Sequence, residues 1–353
     1  MEEFPQTGKI QNNFFKEHVF PFCGKSRDEV VVGPQYGVDV SIVSLNNGMA
    51  MAMTSDPLSL IPTLGLRESA WLSVQLMAND MATTGFSPMY AQFVLNLPTT
   101  LPAHEFEIYW KHIHTFCERL GIAITGGHTG RFDGLQSTIA GGGTMVTIAK
   151  NEDIITSKGA TPGDVLIMTK ECALISTAIL ALSFPETIKK ECGERIHQKA
   201  CNLFYETSAV EAGLVAGEFG RHTKSVTAMH DVTEGGVLGA VYELTIASQC
   251  GVIIYSDTIV VGEAQEKICK YFNIDPKRCV GAGSMIITVK PDKSSMLLSL
   301  LKTNGIEGTV IGKIVERSKG LVIQSGNAQT ELPQPGDDPY WNAFGEAFKQ
   351  GLK

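Results

Sequence analysis

The chain has 353 residues, 43% of them hydrophobic and 19% charged, the balance of an ordinary folded protein whose length calls for about two domains. A net charge of −8, with no block of Lys or Arg, argues against nucleic acid or an anionic membrane as the main partner. No apolar run approaches the roughly 20 residues of a membrane span, and MEEFPQTGKI is not a signal peptide. The eight cysteines lack any CxxC pair, so they read as reduced, mostly buried thiols of a cytoplasmic protein.

Residues 1–30 form an N-terminal arm. Within it Asn12 to Phe22 reads as a short helix docking by its phenylalanines. Cys23-Gly24-Lys25-Ser26 ends like a phosphate-binding loop, but the glycine that pattern needs five residues earlier is Val19, so it is no Walker motif. Lys25 then reads as a solvated loop lysine. Val30 to Val32 is a short strand, and Val38 to Leu45 partly alternates like a half-buried one. Asp39 falls inside that second strand, where an acid is either paired internally or aimed at a ligand. Asn46-Asn47-Gly48 closes a hairpin, with Met49 to Thr54 as its return strand.

Asp56 follows that strand, at the end where α/β domains usually hold ligands. Ser69 to Gly85 reads as an amphipathic helix burying Ala70, Val74, Met77, Ala78 and Met81. Asn79 and Asp80 near its end are poor helix formers beside apolar neighbours. A solvated helix end would explain them; so would a site. If Asp56 and Asp80 converge to about 4 Å, they repel by roughly 4 kcal/mol at an effective dielectric near 20. One of them then takes a proton, or an oxygen-loving cation such as Mg²⁺ sits between them.

Tyr90 to Leu97 is a strand, and Pro102 opens a helix burying Phe106, Ile113 and Leu120. His112 and His114 on that helix face different sides and make no metal pair. Ile122 to Thr125 is a short strand, after which Gly126-Gly127 permits close approach of a ligand or of another backbone, with His128, Thr129 and Arg131 at the opening. Glycines 141 to 143 mark a bulge or tight packing in the next strand.

The Pro-Gly-Asp turn after Ser157 opens a second domain, which places the first domain at 31–155, the second at 156–330 and a tail at 331–353. Helices are expected near 173–182 and 196–219, then a strand at 226–229. Asp231, Thr233, Gly235 and Gly236 form a strand-to-helix turn, suited either to an anion at the helix N-terminus or to simple capping. A helix (262–272), strand (285–289), helix (292–303) and two strands (308–315, 320–325) follow, and a short helix closes the chain at 341–349.

Taken in order, TSD, the AND-containing helix, GGxT, the PGD turn and HDxTxGG resemble the aminoimidazole-ribonucleotide (AIR) synthetase superfamily, most of all its hydrogenase-maturation carbamoyl dehydratase. The resemblance runs from about Gly33 to Val322. It implies a two-domain α/β (α+β) fold: an N-terminal domain that dimerises into a β-barrel, and a C-terminal α/β domain. It also implies ATP and Mg²⁺ as cofactors. By position it assigns Asp56 and Asp80 to metal, and Asp39 and Asp80 to catalysis. Asn79, Gly126, Gly127, Asp231, Thr233, Gly235 and Gly236 are assigned to the nucleotide. Two departures stand out. His128 occupies the place where the family carries an acid, and the C-terminus, FGEAFKQGLK, lacks the cysteine that carries the carbamoyl group in the maturation enzyme. The reading is an ATP- and Mg²⁺-dependent homodimer that transfers the γ-phosphate to an oxygen of a small carbonyl or amide substrate. The alternative is a non-catalytic nucleotide-binding paralogue serving as an assembly or sensing partner, for example in metallo-enzyme maturation.

Overall fold

The computed structural model describes residues 10, 12–58, 60–135 and 139–353. Part of the N-terminal arm, and Ser137 and Thr138 before the glycine-rich strand, lie outside the described residues. A turn of helix, α1 (Asn12–Phe14), continues as looser helical turns to Phe22. Phe22 is 80% exposed, so the arm does not dock through all of its phenylalanines as expected.

The first sheet has six strands in the order β1-β2-β3-β6-β4-β5. These are β1 (Val30–Val32), β2 (Ser41–Ser44), β3 (Met49–Pro57), β4 (Tyr90–Pro98), β5 (Ala123–Phe132) and β6 (Ala140–Lys150). All neighbours are antiparallel except β4 and β5. The hairpin at Asn46-Asn47-Gly48 forms as expected, with Asn47 in the left-handed region. The sheet is open, with β1 and β5 at its edges. One face carries α2 (Leu66–Ala82) and α3 (Ala103–Arg119), where Ala50, Ala52, Met77, Ala78, Met81, Phe93 and Met145 are buried together. The other face is left partly exposed by the described residues. Tyr90, Val94 and Ile148 stand 38%, 45% and 38% exposed on it. In register beside them, Val43 pairs Met51, which pairs Ile148, and Met53 pairs Val146, which pairs Tyr90.

The second sheet runs β13-β12-β9-β11-β7-β10-β8. Its strands are β7 (Val165–Thr169), β8 (Val226–Asp231), β9 (Gly251–Tyr255), β10 (Met285–Val289), β11 (Gly308–Val315), β12 (Leu321–Ser325) and β13 (Ala328–Glu331). Its helices are α4 (Leu174–Ser183), α5 (Pro185–Cys192), α6 (Glu194–Asn202), α7 (Val210–Thr223), α8 (Gly236–Ala247), α9 (Glu263–Tyr271), α10 (Pro291–Thr303) and α11 (Pro339–Lys349). The single long helix expected over 196–219 is broken: α6 ends at Asn202, and α7 starts only after a 3₁₀ turn at Leu203–Thr207. β9 and β13 were not anticipated.

The two domains share one core. Met77 and Phe93 belong to the same buried cluster as Ala209, Ala212, Met229 and Ile287. Small residues make this possible: a Cβ at Gly213 or Gly217 on α7 would collide with the backbone of Ala82 or Gly85. All eight cysteines are unpaired, and no described helix is long and apolar enough to cross a membrane.

Candidate functional site

Four acids come together from four separate segments. Strand alternation turns Thr54 and Asp56 to the same side of β3 as Ala50 and Ala52, the side on which α2 packs. Thr54 Oγ1 donates to Asp80 Oδ2 at 2.7 Å, which ties the strand end to the helix. Asp231 is the last residue of β8 and only 2% exposed. Asp39 is not strand-embedded as expected, because β2 begins at Ser41; it sits in the irregular stretch between β1 and β2. Ligand atoms of Asp39, His230 and Asp231 lie within 4.8 Å of one another.

The converging acids act on one another. Burial raises the Asp80 carboxyl well above the ordinary carboxylate range, the charges of Asp231, Asp39 and Asp56 raise it further, and only the Thr54 hydroxyl pulls the other way. Such a cluster is stable when a cation enters it or when protons neutralise it. The donor set, all carboxylate oxygen, suits a hard cation such as Mg²⁺.

Behind Asp39 stands a network that sequence reasoning missed. His230 Nδ1 meets Asp39 Oδ2 at 2.6 Å, and His230 Nε2 meets Glu243 Oε2 at 3.0 Å. Ser157 Oγ also donates to Asp39 Oδ2, at 3.1 Å. Burial disfavours the charged imidazolium, but the flanking carboxylates outweigh it and hold His230 well above the ordinary histidine range. Burial, and the Glu243 carboxylate beside it, push the Tyr36 phenol up. One signal was present: Glu243 is the only charged residue of α8, GVLGAVYELTIA.

Several expected nucleotide residues are placed differently. Asn79 is fully buried, and its carboxamide is committed to the protein. Its Oδ1 accepts from Ala209 N at 2.7 Å, and its Nδ2 donates to Thr207 O at 2.9 Å. It therefore positions Asp80's helix against the second domain instead of facing a phosphate. Gly126 and Gly127 lie within β5, a longer strand than expected, at the sheet edge. Asp56, Gly143, Phe93 and Gly127 form one row across four strands, so Gly127 is roughly 14 Å from Asp56 within one chain. His128 is on the same exposed edge.

The turn at Thr233, Gly235 and Gly236 is also occupied. Gly235 N donates to Asp338 Oδ2 at 2.7 Å, and Gly236 N donates to Thr233 O at 3.1 Å. The chain's own carboxylate takes the place expected for an anion at the start of α8. Both glycines have positive φ, and a Cβ on Gly236 would press on the carbonyls of Lys277 and Cys279, so their conformation and packing require glycine. Of the expected set, then, Asp39, Asp56, Asp80 and Asp231 are brought together.

Residues 37–149 match the family model described as AIR synthase related protein, N-terminal domain, and residues 161–324 match its C-terminal domain. The chain belongs to the AIR synthase related protein family. A relative named "Selenide, water dikinase" from Methanococcus maripaludis is 29% identical over 308 residues, covering 83% of this chain and 88% of that one. "Carbamoyl dehydratase HypE" from Escherichia coli is 27% identical over 252 residues, 69% of each chain. Among solved structures, Escherichia coli HypE has a TM-score of 0.70 at 21% identity, covering 92% of this chain and 96% of that one. A structure of the hydrogenase maturation protein HypE in complex with ATP has a TM-score of 0.65 at 15% identity, covering 95% and 97%. The two-domain AIR synthase-like fold is thus the one expected. In the single chain its first sheet is open, not a closed barrel.

Proposed function

We propose that this chain is an ATP- and Mg²⁺-dependent enzyme that transfers the γ-phosphate to an oxygen of a small carbonyl- or amide-bearing substrate. The observation that carries the reading is the meeting of Asp39, Asp56, Asp80 and Asp231 at one place, where desolvation and then the neighbouring charges raise Asp80. Phosphoryl transfer needs positioned charge and little covalent machinery, which such a site can supply. Asp56 and Asp80 would hold Mg²⁺, with Asp39 and Asp231 beside them. The bound cation would neutralise charge developing on the phosphates. The chain's own part is to hold these carboxylates converging, with Thr54 fixing Asp80 and Ser157 fixing Asp39, so that a bound cation would favour their ionised forms. That a relative carries the name carbamoyl dehydratase, and another selenide, water dikinase, supports a small acceptor molecule.

The exposed apolar face around Val94 and Ile148 would be covered by a second copy, closing the barrel of a homodimer. Ile148→Glu should then convert a dimer to a monomer in sedimentation velocity, and a monomeric wild type would refute the dimer.

The test of the activity is phosphate release from Mg²⁺·ATP by wild type and Asp80→Ala, with carbamoyl compounds, simple amides and selenide as acceptors. Turnover that survives in Asp80→Ala would overturn the assignment. His128, where the resemblance expects an acid, favours a second reading: a nucleotide-binding partner without catalysis. A structure of a HypE–HypF complex gives that reading its kind of partner, a maturation protein. ATP binding without turnover, with every acceptor, would support it.

A further inference from the structure

We propose that His230 and Glu243 are positioning residues for Asp39, a hydrogen-bonded strut by which the second domain aims a carboxylate of the first at the bound cation. The inference rests on the cation reading above. Asp39 lies in a stretch that no strand ladder holds, so its orientation must come from elsewhere. Two donors converge on a single oxygen: His230 Nδ1 at 2.6 Å and Ser157 Oγ at 3.1 Å both meet Oδ2. That engages Oδ2 with the protein, while a ligand atom of Asp39 lies within 4.8 Å of one from Asp231. Ser157 Oγ is also 3.1 Å from Met229 O, one residue before His230 in β8, so its single proton is shared between that carbonyl and Asp39.

The far end of the strut is equally fixed. Glu243 takes His230 Nε2 at 3.0 Å and lies beside the Tyr36 phenol, from the same stretch as Asp39. Between Tyr36 and Asp39, Gly37 has φ +76 and lies so close to α8 that a Cβ would strike the Glu243 carbonyl. Residues 36–39 are therefore laid on α8 at Glu243 and gripped at both ends. The same geometry decides against His230 as a metal ligand, because both its ring nitrogens already meet carboxylates. Hydrogen-bonding partners of metal-ligating groups set ligand orientation, and their removal typically costs 10- to 100-fold in metal affinity.

The experiment is Mn²⁺ uptake by the full chain with a non-hydrolysable ATP analogue, followed by the electron paramagnetic resonance of free Mn²⁺. His230→Gln should weaken Mn²⁺ binding about 10-fold or more, while affinity for the analogue without metal changes little. Glu243→Gln, which keeps an acceptor for Nε2, should shift it less in the same direction. In an Asp39→Asn background His230→Gln should add almost nothing, since contacts acting through one residue are not additive. A direct ligand would instead add its full effect. Folded His230→Gln with wild-type Mn²⁺ uptake, or the full effect in the Asp39→Asn background, overturns the strut. If His230→Gln does not fold, unchanged uptake by Glu243→Gln overturns it. Uptake lost in Asp80→Asn but normal in His230→Gln leaves the cation reading standing and removes only the strut. No uptake by wild type removes both.

Discussion

Two carboxylates, the half-buried Asp80 and the buried Asp338, have opposite surroundings. Burial raises both. Around Asp80 the next influences are Asp231, Asp39 and Asp56, which raise it again, against one hydroxyl. Around Asp338, pushed up to about 6, they are the backbone N–H groups of Gly235 and Tyr340, which pull it down. A negative charge set among others calls for a cation from outside. A negative charge set under amides is answered by the chain, and here it joins the starts of α8 and α11. The glycine turn looked like the anion site in sequence, but the acid cluster is the place with charge still to be balanced.

The sharpest way to break this contrast is Asp80→Asn. Mg²⁺-dependent ATP turnover should fall by about a hundredfold or more, near 3 kcal/mol. Thermal stability without metal should rise, because the amide still accepts from Thr54 and removes a repelled charge. A variant that is inactive and also less stable would mean Asp80 is a structural partner.

Asp338 supplies the pH half of the contrast. Its folded value of about 6 exceeds the ordinary 3.8, so the folded state holds the extra proton between them. Its contribution to stability is therefore full below 3.8 and is lost as pH rises through about 6, by about 3 kcal/mol in total. Asp338→Asn should flatten that part of the profile in urea unfolding across the window. An unchanged slope would place the titration elsewhere.

Ligand linkage separates the two sites next. Mg²⁺ with a non-hydrolysable ATP analogue at about 100 times its dissociation constant should stabilise wild type by about 2.7 kcal/mol. The thermal shift should persist in Asp338→Asn and vanish in Asp80→Asn. The smallest effect concerns capping alone. Asp338→Ala should be less stable than Asp338→Asn by about 1 kcal/mol, because Asn keeps one acceptor oxygen for the amides of Gly235 and Tyr340 and Ala keeps none. Equal unfolding midpoints would show that capping contributes nothing.

Much of the site was legible because local rules carry it. Asp56 follows an apolar strand and Asp80 ends an amphipathic helix, so their places follow from spacing. Asp39 was rightly singled out but put in a strand, since Val38 and Val40 mimic alternation that no ladder continues. His230 could not be seen as its partner, because the two are 191 positions apart and every described residue around His230 in β8 from Ala228 to Asp231 is buried, leaving no polar face to read. The break in the helix expected over 196–219 has a similar origin. The amide of Ala209, which an unbroken helix would use, is taken by Asn79, 130 positions away.

The sequence by itself determined much of the element order, the two-domain family fold and the identities of the converging acids, because apolar periodicity, turn residues and motif order are local. Only the tertiary structure decided which polar groups remain available. Asn79 and the α8 turn were committed to contacts between distant segments, while Asp39 was met by a histidine from the other domain. Hydrogen bonds between segments far apart in the chain are set by packing, and no local spacing rule encodes them.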